Sequence, residues 1–227
     1  IAVRRFVHAV DVYFHGSGEQ LPDNFTDALS THIHRTKSHI AVLNYDNLLY
    51  DALYASEVLR GYDGALIDGF RRDGFAPANL ERFYPARLGY YLHLHGSPLF
   101  IGAKKVMRGG REFLEPAHES HIVLTHVKHK PSIINSSPIL SEYWNQLGRA
   151  LDEVACIVLF GYSGEDLHLN QKIMAASHGK TIHLIEWRGA GTEDARRAYW
   201  TERFKGRTVN VIRLDDVLDF RDWARLN

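Results

Sequence analysis

Three short stretches carry side chains able to do chemistry, and each follows an apolar run. Asn44-Tyr45-Asp46 follows Ile40–Leu43, His95-Gly96-Ser97 follows YYLHL, and Gly161-Tyr162-Ser163-Gly164-Glu165-Asp166 follows Cys156–Phe160. An imidazole titrates nearest to neutrality and can take a proton from a hydroxyl or from water. An asparagine amide holds a water or a hydroxyl through both its donor and its acceptor. Taken singly, each stretch also has a plainer reading. A carboxylate or amide after a strand commonly caps a helix, and a glycine there can serve only to make the turn. Their occurrence in this order is the stronger signal.

The elements that must hold these residues are legible in the apolar periodicity. HIAVLNYDNLLYDAL (39–53) opens with an unbroken apolar run of strand length, the pattern of a strand covered on both faces, as in a parallel sheet. It then stops at a polar turn and resumes at helical spacing with Leu48, Leu49 and Leu53, with either Asp46 or Asn47 as the N-cap. Strand, polar turn and helix in this order place the turn at the carboxyl edge of an open sheet, where ligands bind. ACIVLFGYSGEDLHLNQKIM (155–174) repeats the pattern.

Further helices are expected over 1–14 (Val3, Phe6, Val7, Val10 and Tyr13 on one stripe), 24–36, 138–154, 192–204 and 219–226. Further strands are expected near 65–67, 89–95, 121–126, 181–187 and 208–214, with a hairpin closing at Arg108-Gly109-Gly110. Residues 61–85 read as a long irregular excursion. Strands alternating with helices imply a doubly wound, mostly parallel α/β sheet of Rossmann-like type. The reading is one domain over 1–227 with an irregular insertion at about 61–116.

Composition narrows the function classes. The 227 residues hold 27 Lys plus Arg against 27 Asp plus Glu, so no global field favours nucleic acid or an acidic membrane. The single Cys156 excludes an internal disulfide and a multi-cysteine zinc site, and fits a reducing compartment. No stretch reads as a signal peptide or a membrane span, so the expectation is a soluble, cytoplasmic protein. Trp187, Trp200 and Trp223 with Arg188, Arg196, Arg197 and Arg203 could form a nucleic-acid surface. Helical spacing instead assigns Trp200 and Phe204 to a buried stripe and the arginines to a solvated face.

LNYDNLLYDAL, LHLHGS and IVLFGYSGEDLHLNQKI, taken in order, resemble the three downstream motifs of bacterial sirtuin-like domains. That family includes NAD-cleaving effectors of anti-phage defence. Its motifs usually read TNYD before a leucine-rich helix, then HG with a small residue, then G-(Y/H)-S-x-x-D. The helical stretch with Tyr143 and Trp144 before the third motif fits the same layout. The resemblance covers roughly 39–187 and implies an NAD+ glycohydrolase that takes NAD+ as substrate and requires no metal. It implies that Asn44 and His95 face the nicotinamide ribose, with Asp46 supporting the pocket. It implies that Gly96 and Ser97, in the second motif, are cofactor-binding residues. Gly161, Tyr162 and Ser163 would approach cofactor phosphates or ribose, and Asp166 would cap the following helix. As partners it implies a homo-oligomer or assembly with a defence protein, without direct contact to nucleic acid or membrane.

The chain departs from that family in several places. The glycine-rich GAGxS turn after an N-terminal strand is absent, and Gly16-Ser17-Gly18 is no substitute, since it leads into Leu-Pro-Asp. Leu43 stands where threonine is common, and Gly164 stands where leucine is usual. The four-cysteine module of the protein deacylases is missing, which favours NAD hydrolysis over deacylation. Two other readings compete. In one, a degenerate module of the same fold senses a nucleotide or assembles without catalysis. In the other, a metal-dependent hydrolase uses His93-x-His95 with Asp46, Asp166 or His168; His32-x-His34 and His118/His121 offer similar pairs.

Overall fold

The computed structural model describes residues 19–84, 87–105, 122–123 and 130–226. The stripe expected over 1–14, the turn at 108–110 and most of the strand expected over 121–126 lie outside them. In chain order the elements are α1 (Asp23–Thr36), β1 (Ile40–Val42), α2 (Leu48–Ala55), β2 (Leu66–Ile67), β3 (Phe70–Arg71), β4 (Gly74–Phe75), β5 (Gly89–His93), β6 (Phe100–Ile101), β7 (Lys104–Lys105), α3 (Lys130–Ser136), α4 (Pro138–Glu153), β8 (Cys156–Phe160), α5 (Leu167–Ala176), β9 (Thr181–Trp187), α6 (Glu193–Arg203) and β10 (Thr208–Leu214). The architecture is mixed α/β with parallel sheets. The chain divides into two compact units, the first holding Ser30–Leu147 and the second Pro22–Leu29 together with Gly148–Asn227. Among the described residues no helix is long and apolar enough to cross a membrane.

In the first unit β1, β5 and β2 form a parallel sheet in that order. The central β5 is buried along its whole length, as befits a strand paired on both sides. The apolar run at 40–43 suggests the same for β1, but among the described residues β1 pairs with β5 alone and its Ala41 is exposed. Apolar composition alone does not separate a strand paired on one side from one paired on both. The excursion at 61–85 holds β2 and the β3–β4 hairpin, and a second hairpin, β6–β7, turns at Gly102-Ala103. The two hairpins join through the Phe75 N–H, which donates to the Ala103 carbonyl at 2.6 Å.

α4 starts as its sequence implies, with the Ser137 hydroxyl accepting from the Leu140 N–H at 3.2 Å and Pro138 in the first turn. Its Tyr143 hydroxyl donates to the Asp68 carbonyl (2.7 Å), and its Trp144 indole N–H donates to the Leu94 carbonyl (2.9 Å). Both carbonyls lie just past the carboxyl ends of strands, β2 and β5, where ladder partners run out. Burying an aromatic ring while satisfying its polar tip is the favourable use of Tyr and Trp in a core.

His93 ends β5 with no solvent exposure, its ring 5.8 Å from Tyr50, 5.1 Å from Tyr91 and 5.4 Å from Phe100. Neither ring nitrogen has a hydrogen-bond partner. Burial, and then the Lys105 charge, lower its pKa from 6.5 to about 3.

The second unit stacks β10, β9 and β8 in parallel, in that order. Glu186, near the carboxyl end of the central β9, is 4 % exposed. It is held by Arg196 (2.8 Å), by the Trp200 indole N–H (2.8 Å) and by Arg213 at 3.2 Å. Arg196 is thus an interior partner and not part of the solvated face that helical spacing suggests. The helix expected over 219–226 is instead two single turns, Val217–Asp219 and Trp223–Leu226. So short a segment gains too few bonds to offset helix nucleation. Packing of Phe220 against Trp223, with centroids 4.9 Å apart, fixes it.

Removing the buried carboxylate at Glu186 leaves two half-buried guanidinium groups without their counter-charge. Glu186→Ala should therefore cost about 3–5 kcal/mol in urea denaturation, and a loss under ~1 kcal/mol would contradict the arrangement. His93 is neutral in the fold, while the unfolded chain binds its proton from about pH 6.5 downward. Its contribution to stability is full above that pH and is lost as pH falls toward about 3. In His93→Phe the decline of unfolding free energy from pH 7 to pH 4 should be shallower than in the wild type. Equal slopes would refute the buried neutral imidazole.

Candidate active site

The pairing of β1 with β5 sets Val42 opposite His93, and the ladder runs on through the Leu94 N–H to the Val42 carbonyl at 2.9 Å. Asn44 and His95 each lie two residues past this last pair, beyond the carboxyl ends of β1 and β5. Asn44 is exposed, whereas His95 is 7 % exposed. The Tyr45 ring lies 6.2 Å from the His95 ring at 31°. Val123 ties the two together, its N–H donating to the His95 carbonyl at 2.9 Å and its own carbonyl accepting from the Tyr45 hydroxyl. Of the strand expected over 121–126, Ile122 and Val123 are described, and neither is in a strand.

The turn after β5 is shaped by Gly96, whose φ of +85° belongs to the left-handed region and whose N–H donates to the His93 carbonyl at 3.1 Å. Ser97 is 1 % exposed. Its hydroxyl donates to Asn47 Oδ1 at 2.9 Å and accepts from the Leu99 N–H at 3.2 Å. Asn47 occupies the N-cap position of α2 and is fully buried, yet its side chain makes no cap bond. Asp46 is half-buried and accepts from the Leu48 N–H at 3.1 Å, bracing the first turn of that helix. The sequence reading missed Asn47 as a tie between two turns. The Leu-Asn-Tyr-Asp-Asn run offered three polar candidates, and only the fold shows which one turns inward.

The corresponding turn of the second unit, between β8 and α5, is closed by its own bonds. Asp166 is the N-cap of α5 and accepts from the Leu169 N–H at 3.0 Å. The Tyr162 hydroxyl lies 2.9 Å from Asn170 Oδ1 and accepts from the Asp166 N–H at 3.2 Å. Burial, then the Asp166 carboxylate, raise the phenol pKa above its usual range. Gly161 and Ser163 are exposed; the Gly161 N–H donates to the Ile185 carbonyl at 2.9 Å, and the Ser163 hydroxyl accepts from the Glu165 N–H at 3.3 Å. Gly164 has φ +86°, and a Cβ there would lie 2.6 Å from the Tyr199 hydroxyl and 2.9 Å from the Trp200 ring. A side chain at 164 would have to displace the Trp200 ring and adopt a strained backbone, so the glycine follows from local packing.

The structure therefore sets Asn44, Asp46, His95, Gly96 and Ser97 on adjoining turns of one unit, and places Gly161, Tyr162, Ser163 and Asp166 on one turn of the other. His32 of the His32-x-His34 pair lies 3.4 Å from the Ser38 hydroxyl; His118 and His121 lie outside the described residues. The chain matches no protein-family model and no curated protein.

Removing the Ser97 hydroxyl takes a buried donor away from the Asn47 amide oxygen. Ser97→Ala should lower stability by about 1–3 kcal/mol. A double-mutant cycle with Asn47→Ala should return a coupling of at least ~0.5 kcal/mol, and strict additivity would contradict the tie.

Proposed function

We propose that this chain is an NAD+ glycohydrolase built on a doubly wound, Rossmann-like fold of sirtuin-like type. The observation that carries the reading is the pairing of Val42 with His93, two residues before Asn44 and His95 in their respective segments. Two features support it. The carboxyl edge of a parallel sheet is where such folds bind ligands. The ordered run Asn44-Tyr45-Asp46, His95-Gly96-Ser97 and Gly161-Tyr162-Ser163 follows the motif order of the family the sequence resembles.

The chemistry asks for positioning and a weak base more than a strong nucleophile. As the bond between nicotinamide and ribose lengthens, the ribose carbon becomes oxocarbenium-like and nicotinamide departs as a neutral ring. His95 takes the proton from the attacking water, and the Asn44 amide holds that water or a ribose hydroxyl in line. Asp46 acts one step removed, by fixing the start of α2 behind Asn44. In vivo the same reading makes the chain an anti-phage effector that works as an oligomer or with a partner protein.

The test is nicotinamide release from NAD+ by purified protein, followed by chromatography. Asn44→Ala and His95→Ala should each lower the rate by about 10²-fold or more, the usual worth of a positioned acid–base group. The thermal midpoint of Asn44→Ala should stay near that of the wild type, since Asn44 is exposed. No release by the wild type, or full activity in both variants, would overturn the assignment and favour a module that binds without turnover.

A further inference from the structure

A cavity of about 650 Å3 opens in the first unit beside the carboxyl end of β2. That volume falls within the range of about 300–1,000 Å3 typical of small-molecule sites. Asn44, Asp46 and His95 are not among the residues that line it.

Its floor is an ordered polar cluster. The Asp68 carboxylate, 7 % exposed as a residue, accepts from the Phe70 N–H at 3.1 Å and from the Tyr50 hydroxyl at 3.1 Å, and pairs with Lys105. The Lys105 ammonium also donates to the Tyr50 hydroxyl and lies 4.8 Å from the Tyr50 ring centroid and 5.1 Å from that of Phe70. An ammonium has three donors. Asp68 and Tyr50 take two, and among the described residues the third has no partner.

The walls add cations already laid on aromatic planes. The Arg60 guanidinium sits 4.3 Å over the Tyr54 ring, and that of Arg71 sits 5.0 Å over the Tyr62 ring. Such stacking holds a guanidinium flat and leaves its N–H edge free to bind an anion. Arg60 has a carboxylate, Glu57, 3.8 Å away, but both side chains are well exposed and the pair is weak. Arg71 has no carboxylate partner among the described residues. Asp63, which also lines the cavity, is likewise without a cation and offers an acceptor to hydroxyl groups.

We propose that this cavity binds a small phosphorylated, hydroxyl-bearing metabolite of the nucleotide or sugar-phosphate class. Arg71 and Arg60 take the phosphate, Asp63 accepts from hydroxyls, and the remaining Lys105 donor meets a ligand oxygen at the floor. The site rests on the first unit alone and stands apart from the NAD+ reading.

Calorimetric titration of the full chain with AMP, ribose 5-phosphate and adenosine tests it. AMP should bind with Kd below ~1 mM, and Arg71→Ala should weaken it by at least ~10-fold through loss of a charge-assisted contact. Asn44→Ala should bind AMP as the wild type does, which separates this cavity from the edge that carries His95. Adenosine should bind at least ~10-fold more weakly than AMP. Ribose 5-phosphate matching AMP assigns a sugar phosphate, and AMP exceeding it assigns a nucleotide; either supports the site. Failure of both phosphorylated probes to bind, adenosine equalling AMP, or Arg71→Ala binding unchanged would overturn it. Arg71 is exposed, and an unaltered far-ultraviolet spectrum of the variant confirms its fold.

Discussion

The parallel pairing of β1 with β5 is the constraint on which the first unit turns. A parallel register is all or nothing for side-chain placement, because a slip of one residue sends every side chain to the opposite face. With Val42 opposite His93, the polar residues of both segments begin just past the last pair. The pairing is held from below by burial of β5 on both faces. It is held from above by α4, whose Tyr143 and Trp144 satisfy the carbonyls just past the ends of β2 and β5. These are the carbonyls that would otherwise need water, and their capture by aromatic donors lets the edge be polar at chosen points and dry elsewhere.

His93 and His95 show how two identical residue types diverge by environment alone. They stand two apart, so strand alternation would point both to one side. His93 is enclosed by Tyr50, Tyr91 and Phe100 and is held neutral by burial. His95 sits past the strand end beside Tyr45 and next to a glycine turn. The packing role that the sequence suggests for His93 is the one the fold gives it.

Much of the fold was legible because its periodicities are strong. The strand at 181–187 and the helix beginning at Pro138 appear where composition places them, and the cap at Asp166 is made as such a residue would make it. What was not legible depends on neighbours distant in sequence. Nothing in Ile40–Val42 marks Ala41 as exposed. The β3–β4 hairpin has two residues per strand, too few to show alternation, although Asp73-Gly74 is a turn signal. The partnership of Asp68, Tyr50 and Lys105 spans three elements and leaves no local pattern, so the cavity it floors could be found only in the fold. Arg196 reads as a surface residue until Glu186 is placed behind it.

The contact between Gly164 and Trp200 binds together positions that sequence separates widely. Trp200 cannot shrink to make room at 164 without withdrawing the indole N–H that serves Glu186, and Glu186 cannot change without abandoning Arg196 and Arg213. The turn after β8 and the interior of the second unit thus form a single unit of variation. A side chain introduced at 164 therefore calls for change at the tryptophan and at the buried acid as a set, so the three positions behave as one.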